Sequence, residues 1–278
     1  MSSYVITDVF TGTPLEGNPL AVFTDAGDIP AERMQRIARE MNLSETVFVL
    51  PAEGGADARI RIFTPSVELP FAGHPTLGTA LLLGEERGAD VIRLETGGGV
   101  VVVKVQREDG RVVAGRMRQP IPTWEPYDRA GELLAALGVG ASQLPVEAYR
   151  NGPRHAFVAL ETEAAVAALE PDLTALAKLP DLGVGCVAGS GGRWKSRNFA
   201  PSLGVPEDPA TGSAAGPLAV HLARHGRIDF GQEIEIRQGA EIGRPSRLYA
   251  RVEGAGDRID KVEVAGAAVV VAHGELRG

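Results

Sequence analysis

The chain has 278 residues, 44% of them hydrophobic and 23% charged, and a net charge of −8 at neutral pH. Its length suits two domains of about 140 residues each, and without clustered Lys and Arg it offers no large nucleic-acid footprint. No stretch reaches the roughly 18 uninterrupted apolar residues of a spanning helix, the opening MSSYVITDVF lacks a charged segment followed by an apolar one, and the single Cys186 cannot close an internal disulfide. A cytoplasmic protein with no membrane or nucleic-acid partner is expected.

In chain order, the strand candidates YVITDVF and LAVFTD come first. A helix follows from Ile29-Pro30, because Met34, Ile37, Ala38 and Met41 recur at i, i+3, i+4 and i+7. The strands ETVFVL and ARIRIFTP lead to HPTLGTALLLG, a helix apolar almost all round and therefore predicted to be buried on every side. DVIRLET, VVVVKVQRED and RVVAGRM then read as strands, with TGGG at Thr96 to Gly99 as a hairpin turn. A Pro-rich linker is expected near Pro120 to Tyr127. Beyond it, short helices fit GELLAALG, TEAAVAALE and LTALAKL, and strands fit HAFVALE, LGVGCVAG and RWKSRNFAP. SAAGPLAVHLA is a second wholly apolar helix, and QEIEIRQG, RLYARVEG and VEVAGAAVVVA are the last strand candidates. The spacing predicts antiparallel sheets, since the connections look too short for repeated helical crossovers.

The two halves repeat one another. ELPFAGHPT at residues 68 to 76 and EDPATGSAA at 207 to 215 share E-x-P-x-x-G before a polar or imidazole side chain, and both open an apolar helix. RIFTPS (Arg61 to Ser66) and RNFAPS (Arg197 to Ser202) share R-x-F-x-P-S, and Pro19 and Phe23 recur as Pro153 and Phe157. The offsets of 134, 136 and 139 keep the same order, and a three-residue insertion before Glu207 accounts for the last step. Two copies of one unit are the simplest source of such a series.

At each copy a strand ends, Pro and Gly shape a turn, and a buried helix begins. The first N–H groups of a helix have no intrahelical partner and carry about half a positive charge, so they can hold a carboxylate without a lysine. Plain capping by Thr211 or Ser213 is the structural alternative. Glu45 follows the helix ending near Met41 and precedes TVFVL, close to a negative dipole end that disfavours its charge. A carboxyl of that kind suits general acid/base work.

These residues resemble a known family. GNPLAVF, NLSETVFV, ELPFAGHPTLGTA and EDPATGSAAG are similar to the signature segments of the PhzF-like isomerases of phenazine biosynthesis, with the diaminopimelate epimerase fold. The resemblance implies an α+β fold of two pseudo-symmetric domains, each a β-barrel around a central helix, with one active site in the cleft between them. The domains are expected at 1–120, completed by a strand at 266–278, and at 125–265. It further implies a homodimer that acts on a small carboxylate substrate with no cofactor and no metal. Glu45, His74 and Asp208 are the expected catalytic residues, and Gly73, Gly212, Ser213 and Asn18 the expected substrate-binding ones. The named reaction would be isomerisation of trans-2,3-dihydro-3-hydroxyanthranilate or a related compound. A non-cysteine epimerase and a non-catalytic carboxylate-binding protein are the alternatives.

Other motifs carry less. Epimerases of this fold use two thiols, whereas Cys186 sits within a predicted buried strand. His221 and His225 form H-x-x-x-H on the second central helix, but Leu222 replaces the glutamate of a zinc protease and the sequence shows no third ligand. GSGGRWKS (Gly189 to Ser196) approaches a P-loop, yet Trp194 replaces its last glycine and a strand follows.

Overall fold

The computed structural model describes residues 2–277. They fall into two compact units, one formed by residues up to Arg118 together with those from Ala265 on, the other by Gln119–Val264. In the first unit the strands are β1 (Ser2–Val9), β2 (Asn18–Phe23), β3 (Glu45–Leu50), β4 (Ala58–Phe63), β5 (Glu68–Leu69), β6 (Val91–Thr96), β7 (Gly99–Glu108) and β8 (Arg111–Gln119). Its helices are α1 (Ala31–Met41) and α2 (Gly73–Arg87). The second unit has β9 (Thr123–Pro126), α3 (Ala130–Leu137), β10 (Glu147–Arg150), β11 (Arg154–Ala159), α4 (Glu163–Ala167) and α5 (Leu173–Leu176). It continues with β12 (Gly183–Ser190), β13 (Arg193–Ala200), β14 (Val205–Asp208), α6 (Gly212–Arg224), β15 (Glu233–Gln238), β16 (Ser246–Ala255) and β17 (Arg258–Gly266). The last strand, β18 (Ala268–Leu276), returns to the first unit and pairs antiparallel with β1, Ser2 facing Leu276.

The duplication is visible as a repeated order of pairings. In the first unit β18/β1 and β1/β2 are antiparallel, β2/β3 parallel, β3/β4 and β4/β5 antiparallel, β4/β6 parallel and β6/β7 antiparallel. The second unit repeats this with β9/β10, β10/β11, β11/β12, β12/β13, β13/β14, β13/β15 and β15/β16. The parallel pairs differ from the all-antiparallel expectation. Each encloses a helical crossover, α1 or α2 in one unit and α4–α5 or α6 in the other, which lets parallel neighbours connect. The segment expected as a linker instead supplies β9, and VEVAGAAVVVA divides between β17 and β18.

The repeated residues themselves are structural. Arg61 donates to both carboxylate oxygens of Glu68 at 2.7 Å, and Arg197 to those of Glu207 at 2.9 and 2.8 Å. The same guanidinium groups lie over Phe63 at 5.1 Å and Phe199 at 5.0 Å. R-x-F and the glutamate of each phrase thus form a clamp of a bidentate ion pair and a cation–π contact, tying the short strand to its neighbour.

Both central helices are buried as their composition predicts. In α2 every residue from Gly73 to Leu81 is buried, and in α6 every residue from Gly212 to Ala223. The close approach needs glycine: a Cβ on Gly78 would meet Val9 Cγ2 at 2.6 Å and Leu20 Cδ2 at 3.0 Å. On the outer face of the first unit, α1 packs Met34, Ile37 and Ala38 against Phe23, Phe48 and Phe63. The three phenylalanines contact in sequence, with ring centroids at 5.0 and 5.5 Å. The second unit's outer layer, built from α3 and α5, buries Leu133, Leu137 and Leu176 beside Phe199 and Cys186.

Candidate active site

The first unit brings Asn18, Glu45 and His74 together. Gly17, at φ +66°, turns the chain where a Cβ would meet Val9 O at 2.4 Å, and Asn18 then opens β2 fully buried. The helix α1 ends on Asn42 in the left-handed conformation, and Glu45 begins β3 beside Leu20. His74 is the second residue of α2. The Asn18 amide nitrogen lies 3.2 Å from His74 Nδ1, and Glu45 Oε2 lies 3.5 Å from the same atom.

An amide nitrogen can only donate, so His74 Nδ1 accepts and the ring proton sits on Nε2. That Nε2 is buried and has no hydrogen-bond partner among the described residues. Burial lowers the His74 pKa to about 3, so the ring is neutral near pH 7. It therefore presents a lone pair toward Glu45 and an N–H donor elsewhere, and a proton held by Glu45 has an acceptor close by.

The second unit assembles Asp208, Gly212 and Ser213. Asp208 ends β14, and its Oδ2 accepts from the Thr211 hydroxyl at 2.6 Å. Gln238 secures both: its Nε2 donates to Asp208 O at 2.7 Å and Thr211 Oγ1 at 3.0 Å. Thr211 is therefore engaged with Asp208 and makes no side-chain cap to α6, and Ala72 makes none to α2. Capping does not account for the repeated phrase.

Proline shapes the start of α6. Pro217 lacks the N–H that would bond to Ser213 O, four residues back. Asn151 Nδ2 donates to that carbonyl at 3.0 Å, while Gln119 Nε2 donates to Gly212 O at 2.7 Å. The Ser213 hydroxyl meets His155 Nε2 at 3.1 Å. Sequence reading missed Asn151, His155 and Gln238; Pro217 within SAAGPLAVHLA was the available signal that a carbonyl needed another donor.

The H-x-x-x-H pair does acquire a third group, correcting the expectation from sequence. Glu147 on β10 lies 3.3 Å from His221 Nδ1 and 3.0 Å from His225 Nε2. Arg224 Nη1 also reaches Glu147 at 2.8 Å and the Tyr149 hydroxyl at 2.6 Å. Burial opposes the Glu147 charge, but hydrogen bonds from His221, His225, Tyr149 and Arg224 outweigh it and hold the carboxyl well below its usual range. The fixed charge of Arg224 balances the carboxylate and repels a second cation, so this cluster is a structural ion-pair network.

GSGGRWKS forms the β12–β13 hairpin, with Ser190 facing Arg193. Cys186 is buried on β12, and burial pushes its thiol up to about 12, far from a reactive thiolate.

This fold is shared with proteins whose structures are described as phenazine biosynthesis proteins and as a probable proline racemase. The model of the phenazine biosynthesis-like PhzC-PhzF family matches residues 7–274. The chain is 61% identical over 274 residues to the trans-2,3-dihydro-3-hydroxyanthranilate isomerase of Pseudomonas aeruginosa, covering 99% of both. It superposes with a TM-score of 0.85 and 33% identity on a structure described as a predicted epimerase from Pseudomonas aeruginosa, covering 99% of each chain. A probable proline racemase from Agrobacterium radiobacter, 14% identical with a TM-score of 0.68, shares the fold over 100% of this chain and 93% of its own. The chain is an α+β isomerase of the diaminopimelate epimerase-like fold. It belongs to the phenazine biosynthesis-like PhzC-PhzF family.

Proposed function

We propose that the chain isomerises trans-2,3-dihydro-3-hydroxyanthranilate, with Glu45 taking the proton from C3 and returning one at C1. The C3–H bond breaks, its electron pair moves through the ring double bonds, and a C–H bond forms at C1. Supporting this reading is the 61% identity to an isomerase of that name over nearly all of both chains. The observation that carries the role of Glu45 is its carboxyl oxygen 3.5 Å from a buried imidazole nitrogen. His74, neutral and holding its Nε2–H for a ligand, positions the substrate and relays a proton; Asp208 positions it from a carboxylate already oriented by Thr211. Backbone N–H groups of Gly73, His74, Gly212 and Ser213 hold charged oxygens, and Asn18 fixes the His74 ring. The same reading makes the protein a cytoplasmic homodimer that works without a cofactor, which light scattering and turnover by the metal-free, cofactor-free protein test.

The direct test follows ultraviolet absorbance of trans-2,3-dihydro-3-hydroxyanthranilate in the presence of the enzyme, then repeats the reaction in D2O. Loss of the band of the diene conjugated with the C1 carboxylate, with deuterium at C1, is expected. An unchanged band rejects the substrate, and deuterium at C3 with inverted configuration would make the enzyme an epimerase instead.

A further inference from the structure

We propose that His155 is a positioning residue that locks the Ser213 hydroxyl as a hydrogen-bond donor, so that the start of α6 recognises a carboxylate oxygen. This deepens the proposed function and rests on its placing Ser213 among the groups that bind substrate.

The two units differ where their pairings are equivalent. Leu20 faces Glu45 in the β2–β3 pair, and His155 faces Gly183 in the β11–β12 pair. The second unit thus has glycine where the first has its acid, and an imidazole where the first has leucine. Gly183 makes room for that ring: a Cβ there would lie 2.7 Å from His155 Nδ1 and 3.2 Å from its Cε1. His155 is 4% exposed and Ser213 5%.

The ring's tautomer decides what Ser213 can do. His155 Nδ1 is buried without a partner among the described residues, whereas Nε2 meets Ser213 Oγ at 3.1 Å. Placing the proton on Nδ1 would bury an unsatisfied N–H; placing it on Nε2 leaves only a lone pair unmatched and gives Ser213 a donor. Nε2–H therefore donates to Ser213 Oγ. Burial lowers the His155 pKa to about 4, so near pH 7 the ring stays neutral with this single tautomer. With one of its two oxygen lone pairs engaged by His155, the hydroxyl hydrogen of Ser213 is left to donate to a ligand. The Asn151 bond to Ser213 O at 3.0 Å holds the backbone of the same residue. An anionic oxygen satisfies that hydrogen, whereas a ligand donor would leave it unmatched.

The test measures binding of anthranilate, a carboxylate of the proposed substrate's class, by calorimetry for the wild type, Ser213→Ala, His155→Phe, His155→Gln and the double variant Ser213→Ala/His155→Phe. Removing a hydrogen bond to a charged group weakens binding by roughly 10- to 100-fold for Ser213→Ala. His155→Phe is expected to weaken it by about 3- to 10-fold, His155→Gln to recover most of that through its amide N–H, and the double variant to match Ser213→Ala. In the wild type, imidazole 15N shifts should report His155 as the Nε2–H tautomer at pH 7. Equal weakening by His155→Phe in both backgrounds, or the Nδ1–H tautomer, overturns the assignment. If His155→Phe does not fold, Gly183→Ala, whose Cβ displaces the ring, takes its place and must show the same non-additivity with Ser213→Ala. A wild type that binds no anthranilate also overturns it, whereas binding without turnover of trans-2,3-dihydro-3-hydroxyanthranilate overturns only the proposed reaction.

Discussion

Glu45→Gln keeps the shape of the side chain and much of its hydrogen bonding but removes the titratable proton. Turnover should fall by about 10²–10⁴-fold, the usual contribution of a general acid/base group, while anthranilate affinity changes little. Wild-type turnover by this variant would reduce Glu45 to a loop acid. His74 makes a second prediction, about stability. Folded, it stays neutral down to about pH 3; unfolded, it takes up a proton near its ordinary value of 6.5. Between those values the unfolded chain binds the extra proton, so stability falls as pH drops through 6.5 and the loss levels off below about 3. One such histidine removes about 2 kcal/mol between pH 7 and 5. Urea midpoints for His74→Asn should therefore shift less over that interval than those of the wild type.

At the scale of elements, the duplicated Arg–Glu clamp separates into an exposed and a buried form. Arg197 and Glu207 are 9% and 12% exposed at their side chains, against 23% and 43% for Arg61 and Glu68. Arg197 also donates to Ala167 O at 3.1 Å and Leu169 O at 2.7 Å, behind α4. Glu207→Gln should lower stability by about 3 kcal/mol, because it leaves a buried guanidinium short of its counter-charge, and Glu68→Gln by less than about 1 kcal/mol. Equal losses in urea denaturation would refute that ranking. The clamp also explains what was legible. R-x-F, the glutamates and the apolar helices recur as strings, so the repeat and both helix starts could be read directly. Strand direction could not, since an alternating pattern reveals which face is buried and nothing about which neighbour lies alongside. His155 and Glu147 were likewise hidden, because their partners lie 58 and 74 residues away and share no local spacing with them.

For the whole molecule, the first unit depends on both chain segments. β18 covers β1 along its length, and Thr7 Oγ1 donates to Val269 O at 3.1 Å across 262 residues. A chain ending at Gly266 should leave β1 with an open edge and lose protection of its first-unit amides from hydrogen exchange, while amides of the Gln119–Val264 unit stay protected. Equal protection in both units would show β18 to be dispensable. This dependence was only partly visible beforehand: VEVAGAAVVVA is strand-forming throughout, with Glu263 its one charged residue, and no residue in it announces that β17 stops at Gly266 and that β18 belongs elsewhere.

The pairing of Ser2 with Leu276 has a consequence for synthesis. At roughly 5–20 residues per second, β1 emerges tens of seconds before the strand that covers it. Because the two paired ends are antiparallel neighbours, a short turn from Leu276 to Ser2 would close the backbone into a ring, and new ends could open between Gly266 and Ala267. In that circular permutant β18, β1 and β2 would be made consecutively, replacing the most distant pairing in the chain by a hairpin. Stopped-flow refolding should be faster than for the natural order, with turnover unchanged, and a permutant that refolds no faster would show that closing this pair does not limit the rate.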